Sequence, residues 1–286
     1  MTNYKHIIGA QALQSRLDDP DWRILDCRSD LGDPRAGLRA YRQGHIPGAL
    51  FVDLEDDLSG KKGDHTGRHP LPEVADIEQR LAALGIDSKT TVVVYDSDSG
   101  ALASRAWWTL RWLGHQSVFL LNGGVDEWQR RGFGLTDAEE AVAARDFRAR
   151  PRNDMVLTTS EIAENLQTIR ALNLCDAREV GRFQGRFEPI DPVAGHIPGA
   201  RSLPLTESLN DDLTWKPRAE LEAIWDERLG TDRYVEWAVM CGSGVTACHL
   251  AISGLEAGFR EPRLYAGSWS EWIRDSERPI GLGKGV

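Results

Sequence analysis

The chain has 286 residues, 41% of them hydrophobic, and its 34 basic and 44 acidic side chains leave a formal charge of -10. That length can bury a sizeable core and suits two domains of about 140 residues each, while an acidic surface with no basic block argues against nucleic acid or an anionic membrane as partner. No apolar stretch approaches the roughly 18 residues that span a bilayer, and the start MTNYKHIIGA lacks the apolar run of a signal peptide, so a cytoplasmic protein is expected.

In chain order the first landmarks are ILDCRSD (24–30) and GHIPGA (44–49), and both return later. NLCDARE (173–179) aligns Asp176 with Asp26 and Arg178 with Arg28, and GHIPGA recurs letter for letter at 195–200. DIEQRLAALGI (76–86) has the apolar spacing of an amphipathic helix ending at glycine, and Val92 to Tyr95 reads as a buried strand. RAWWTLRW (105–112) reads as core. TVVVYDSDSGALASRAWW (91–108) and LLNGGVDEW (120–128) find their counterparts in EWAVMCGSGVTACHLAI (236–252) and LYAGSWSEW (264–272). The period is far too long for a solenoid and marks two globular domains in tandem. Charged, apolar-poor TDAEEAVAARDFRARPRND (136–154) reads as a surface linker. The expected division is a first domain over 1–138, a linker over 139–154 and a second domain over 155–286. In the second domain AELEAIWDERLG (219–230) reads as a helix and Ala238 to Met240 as a strand. Strands that alternate with helices favour an α/β fold, an open and mostly parallel sheet with helices on both faces in each domain, and catalytic loops at the carboxyl ends of strands.

Cys241 stands at such an end. Four cysteines with no CxxC pair argue against a zinc site and, in a reducing compartment, against a disulfide framework. In MCGSGVTACH, Gly242 and Gly244 free the backbone to turn successive N–H groups toward the Cys241 sulfur, and a helix starting near Val245 adds its positive end; both favour thiolate over thiol. Ser243 and Thr246 offer hydroxyls to an anion or a carbonyl. The aligned residue of the first copy is Asp96, so that loop carries no thiol and its domain reads as scaffold. Asp98 and Arg105 read as structural, as a surface pair. A cysteine phosphatase is excluded, because Ala247 stands where its oxyanion-binding arginine would be.

The paired GHIPGA motifs, Asp96 in the cysteine position and the CGSGVTA loop resemble, over essentially the whole chain, the tandem rhodanese-like sulfurtransferases. Within that family the loop is similar to those of the 3-mercaptopyruvate sulfurtransferases, whereas thiosulfate-preferring members carry basic residues at the positions of Gly242 and Ser243. The resemblance implies that Cys241 carries a persulfide, with Gly242, Gly244, Val245 and Thr246 forming its cradle and neither a metal nor an organic cofactor required. It implies a small-molecule sulfur donor and, as acceptor, cyanide, a small thiol or a thiol protein such as thioredoxin. Arg178 matches the arginine that holds the substrate carboxylate, and Arg186 is a looser candidate for a second clamp, while Arg182 reads as structural. The family's Ser-His-acid arrangement maps onto Ser243, His69 and Glu55, with two departures. The acid is usually aspartate, and SGKKGDHTG (59–67) lengthens the segment between acid and histidine, which leaves Asp53 and His65 as alternatives. His45 and His196, present in both copies, read as structural. The loop itself contains no cation, so help for a thiosulfate dianion would come from backbone amides alone, and mercaptopyruvate is the expected donor. Thiosulfate:cyanide sulfur transfer and a non-catalytic persulfide relay are the alternatives.

Overall fold

A computed structural model describes residues 4–30, 32–166, 168 and 172–285. In the first domain the strands are β1 (Ile7–Ile8), β2 (Trp22–Asp26), β3 (Ala49–Phe51), β4 (Thr91–Tyr95) and β5 (Val118–Leu121). They are interleaved with α1 (Ala10–Gln14), α2 (Ala36–Gln43), α3 (Val74–Ala83), α4 (Ala103–Trp112) and α5 (Gly124–Arg130). In the second domain the strands are β6 (Leu174–Asp176), β7 (Arg201–Ser202), β8 (Ala238–Met240) and β9 (Arg263–Leu264), and the helices are α6 (Thr159–Glu164), α7 (Val180–Phe183), α8 (Arg218–Leu229), α9 (Ala247–Glu256) and α10 (Ser268–Trp272). The sheet orders are β1-β5-β4-β2-β3 and β7-β6-β8-β9, and every named strand pairing is parallel. The second order repeats the first apart from its edge: where β1 pairs with β5 through two residues, the second domain has a single parallel bridge from Val156 to Leu264.

Local sequence explains the elements. The Val92–Val94 run is fully buried because a parallel sheet covered on both faces leaves no polar side for alternation. The α3 and α8 helices stop at Gly85 and Gly230, whose φ values of +71° and +82° an L side chain rarely adopts. Between the domains lie α4 and α9, packed against each other. Every residue of α4 is buried, tryptophans 107, 108 and 112 included, because one face meets its own sheet and the other meets α9. The 139–154 segment is less free than its composition suggests. Arg145, Arg150 and Arg152 donate backbone N–H groups to the carbonyls of Ala82, Leu113 and Trp112, and Phe147 is buried in the core. It runs as a strap along the first domain.

The duplicated DxR motifs show what repeats for structural reasons. Arg28 Nε and Nη2 grip the Asp26 carboxylate at 2.6–3.0 Å, and Nη2 also donates to the Gly44 carbonyl at 2.7 Å. Arg178 makes the same set with Asp176 at 2.8–3.1 Å and with the Gly195 carbonyl at 2.7 Å. Both aspartates are wholly buried. The twin histidines follow suit: His45 stacks on Tyr41 and bonds its carbonyl, and His196 stacks on Phe183 and bonds its carbonyl.

Candidate active site

The β8 strand ends at Met240, and the loop beyond it is clamped from α10. The Cys241 N–H donates to Ser268 Oγ, while the Cys241 and Gly242 carbonyls accept from the Trp269 and Ser270 amides at 3.0 and 2.9 Å. Gly244 has φ +76°, and a Cβ there would sit 2.3 Å from the Ala266 carbonyl oxygen, so only glycine fits. That turn aims the Gly244 N–H at Cys241 Sγ, 3.2 Å away. The helix begins later than its sequence suggests, with α9 starting at Ala247 and Thr246 in the cap position, so buried Val245 belongs to the loop. The first-domain loop shows what this geometry does with a negative charge. The buried Asp96 carboxylate accepts the N–H groups of Asp98, Gly100, Leu102 and Ala103 at 2.8–3.3 Å, and Gly100, at φ +80°, occupies the place of Gly244. One loop is an anion cradle filled by its own side chain; the other presents a sulfur.

Across the cleft the first domain brings His69. Its Nδ1 lies 2.7 Å from Ser243 Oγ and its Nε2 2.8 Å from Glu55 Oε1. Glu55 also pairs with Lys62 at 2.8 Å, and Lys62 comes from the lengthened SGKKGDHTG segment. Burial would raise the Glu55 carboxyl, but Lys62 and His69 outweigh it and hold it below the usual carboxylate range. Burial dominates at His69 and brings it down to about 4, against the pull of Glu55. The ring is therefore neutral at physiological pH. Because a carboxylate only accepts, Nε2 carries the hydrogen toward Glu55 and Nδ1 accepts from the Ser243 hydroxyl. The alternatives lie elsewhere: His65 is exposed, and Asp53 caps the turn amides of Glu55 and Asp56.

The neutral His69 links stability to pH. With an unfolded value of 6.5 and a folded one of about 4, the unfolded chain binds the extra proton, so the contribution is full above pH 6.5 and is lost as pH falls toward 4. The loss is on the order of 3 kcal/mol for this group. Thermal melting of the wild type should drop across that window, and His69→Gln should drop by correspondingly less; equal slopes would show that His69 is not buried neutral.

The two arginines expected to hold the carboxylate differ in their surroundings. Arg178 is not free to clamp a carboxylate bidentately, because Nε and Nη2 are committed to Asp176 and Gly195 in the arrangement that Arg28 repeats in a domain without a thiol. Its buried Nη1 has no hydrogen-bond partner among the described residues and faces Glu188 at 3.6 Å. Arg186 is exposed. The cations that do stand over the loop are others. A Cβ on Gly242 would lie 2.9 Å from Arg68 Nη2 and 3.4 Å from Arg182 Nη2. Arg182 is paired with Glu188 at 2.7 Å and Asp191 at 3.4 Å, and Arg68 is bonded to Asp191 across the domain boundary. The loop contains no cation, yet it is not without cations beside it. Sequence reading missed Arg68 because its relation to Gly242 is purely spatial; its place before His69 was the one available signal.

The rhodanese-like domain description matches residues 9–131 and again 158–275. The chain belongs to the rhodanese family. Its full-length relatives include a probable 3-mercaptopyruvate sulfurtransferase of Pseudomonas aeruginosa, 45% identical over 97% of this chain and 98% of that one. A thiosulfate sulfurtransferase of Rattus norvegicus is 34% identical over 96% of this chain and 93% of its own. Among solved structures, a 3-mercaptopyruvate sulfurtransferase of Escherichia coli superposes with a TM-score of 0.81 at 31% identity, covering 93% of this chain and 99% of that one. This rhodanese-family chain thus matches these relatives over more than nine-tenths of its length, with two rhodanese-like domains in tandem. Among its described residues no helix is long and apolar enough to cross a membrane.

Proposed function

We propose that Cys241 takes a sulfane sulfur from 3-mercaptopyruvate as a persulfide and passes it to a thiol or to cyanide, releasing pyruvate. The chain is a sulfurtransferase, and its donor and acceptor are small molecules; a thiol protein such as thioredoxin is a further acceptor in this proposal. The observation that carries the donor assignment is the Ser243–His69–Glu55 relay beside the sulfur. Thiosulfate, which has no carbon to protonate, makes no use of such a relay. In the first half-reaction the Cys241 thiolate attacks the donor sulfur, the S–C bond breaks, and its electron pair leaves on carbon as the pyruvate enolate. The Ser243 hydroxyl hydrogen turns from His69 Nδ1 to the developing enolate oxygen, and His69 exchanges a proton through Ser243, so that the donor's thiol proton can be returned to pyruvate. Arg182, with Arg68, takes the substrate carboxylate in place of Arg178. In the second half-reaction the acceptor attacks the outer sulfur and the Cys241 thiolate leaves. A cytoplasmic setting belongs to the proposal, since a reducing compartment keeps Cys241 available as thiolate.

The test is kcat/KM for the two donors side by side with cyanide as acceptor. Mercaptopyruvate should be favoured by about tenfold or more, a difference of about 1.4 kcal/mol. Ser243→Ala should lower mercaptopyruvate turnover by about a hundredfold and leave thiosulfate turnover nearly unchanged. One observation favours the second reading, a thiosulfate donor: Arg68 and Arg182 beside Gly242 are the cations that a dianion needs. Wild-type preference for thiosulfate, unaffected by Ser243→Ala, would establish that reading over the first.

A further inference from the structure

Beneath the Cys241 loop lies a charge that the proposed cycle does not use. Sequence reading placed Arg105 at the surface; in the structure it has no exposed area at all. It projects from α4 of the first domain into the second. Nη1 donates to the Gly244 carbonyl at 3.0 Å, and Nη2 lies 3.2–3.3 Å from the carbonyl oxygens of Leu58, His69 and Pro70. Nε has no hydrogen-bond partner among the described residues. All its acceptors are backbone carbonyls, and among the described residues no carboxylate stands within ion-pair distance. An interior guanidinium without an opposing charge is costly, and buried cations are ordinarily paired.

The other charges around the sulfur are matched. From the segment after β6, Arg178 meets Asp176 and Glu188, and Arg182 meets Glu188 and Asp191. From the loop after β3, Arg68 meets Asp191, Lys62 meets Glu55, and His69 is neutral. On α9 itself, burial pushes the Cys248 thiol up to about 12, so it stays protonated and donates to the Gly244 carbonyl at 3.4 Å. Across Gly244, whose carbonyl Arg105 binds and whose N–H points at Cys241 Sγ 3.2 Å away, the group left to face the guanidinium is the sulfur that the proposed cycle makes anionic.

The pseudo-symmetry of the domains sharpens the point. The α4 and α9 helices begin at Ala103 and Ala247, so Arg105 and His249 hold the same helical position. Arg105 donates to Gly244 in the other domain's loop, whereas neither ring nitrogen of His249 has a hydrogen-bond partner among the described residues. Burial holds His249 down at about 3, hence neutral. The helix facing the thiol loop carries a permanent cation, and the helix facing the loop that Asp96 already fills carries an uncharged ring.

We infer that Arg105 is the built-in counter-ion of the anionic Cys241 sulfur, thiolate and persulfide alike, supplied by the domain that lacks a thiol of its own. This rests on Cys241 being the sulfur carrier of the proposed function. Arg105 is a positioning residue. It acts through Gly244, whose carbonyl it binds and whose N–H points at the sulfur, so the peptide dipole is aligned by the same guanidinium that supplies the charge. Through the His69 and Pro70 carbonyls it also sets the relay against the loop.

The test is iodoacetamide alkylation of Cys241, mapped by peptide mass, from pH 6 to 9. Cys175 and Cys248 are pushed up to about 12 by burial and stay silent. Arg105→Gln keeps amide donors without charge and should alkylate about tenfold more slowly at pH 7, approaching the wild-type rate at pH 9. Arg105→Lys keeps the charge and should stay within about threefold at pH 7, although its turnover falls because one ammonium cannot span Gly244 and His69 together. A folded Arg105→Gln with wild-type rates at every pH would overturn the inference, as would an Arg105→Lys about tenfold slow at pH 7, which would assign the effect to the hydrogen-bond fork alone. If Arg105→Gln does not fold, Arg105→Lys decides by itself. Alkylation needs no sulfur donor, so a wild type that alkylates as expected but does not turn over mercaptopyruvate would sink the donor assignment and leave this inference standing.

Discussion

Cys241→Ser should lose sulfur transfer by about four orders of magnitude or more, whichever donor is supplied, because an alcohol stays protonated at neutral pH and cannot hold a sulfane sulfur. Donor treatment of the wild type should add about 32 Da, one sulfur atom, to the peptide bearing Cys241. Cys27, Cys175 and Cys248 should be dispensable for transfer. All are free and buried, and burial raises each thiol: Cys175 and Cys248 to about 12, and Cys27 well above its ordinary value, with Asp26 and Asp96 adding to it. The serine variant should fold normally, since the loop is held by the Cys241 N–H on Ser268 Oγ and by the Trp269 and Ser270 amides, and a serine oxygen can accept the Gly244 N–H in place of the sulfur. Mass added at another cysteine, with transfer surviving in Cys241→Ser, would remove Cys241 from the centre of the site.

The second large effect separates two arginines four residues apart. Arg178→Ala should cost about 3–5 kcal/mol of folding stability, because it strands the wholly buried Asp176 carboxylate and the Gly195 carbonyl. That is a large share of the roughly 5–15 kcal/mol that a domain has in hand. Arg28→Ala should cost a similar amount in the domain without the thiol, since its bonds are the same. Both variants should melt early and lose activity toward both donors alike. Arg182→Ala should behave differently: Glu188 keeps the Ile190 and Asp191 amides and Asp191 keeps Arg68, so melting should fall by less than in Arg178→Ala, while KM for mercaptopyruvate rises by about ten- to a hundredfold and kcat changes little, as expected when a charge-assisted bond to a carboxylate acts in ground and transition states alike. An Arg178→Ala variant that melts normally and raises KM selectively would restore Arg178 as the clamp.

That contrast shows how far residue patterns carry. ILDCRSD and NLCDARE announce the duplication, but a motif shared by both copies is weak evidence for a role in one active site. The same criterion that set His45 and His196 aside as structural applies to Arg178, and only the tertiary structure revealed that Arg28 makes the identical grip. The relay was legible as a set of residue types, and its membership was not. Glu55 and Asp53 are two residues apart, and His65 and His69 four, in a segment longer than the family pattern, so spacing left both pairs open. Folding decides between them by burial: His69 packs against the second domain while His65 stays in solvent. Arg105 was misplaced for a related reason. A charged residue in a tryptophan-rich helix suggests a surface edge when the helix is imagined with one buried face, but α4 is buried all round by α9 and its own sheet.

By itself the sequence determined the features that short-range chemistry controls: two α/β copies, strands where β-branched residues run, helices that stop where glycine supplies a positive φ, and a glycine-flanked cysteine at a strand end. These depend on residues within a few positions of one another, where backbone sterics and periodicity act. The tertiary structure decided everything that depends on which charges meet across the cleft. Arg68 and Arg182 over Gly242, His69 on Ser243 and Arg105 beneath Gly244 join residues that lie far apart along the chain, and the long-range packing of α4 on α9 brings the two domains' loops together. Electrostatic interactions at such a site depend on distance and burial rather than on order along the chain, so no local pattern could have encoded them.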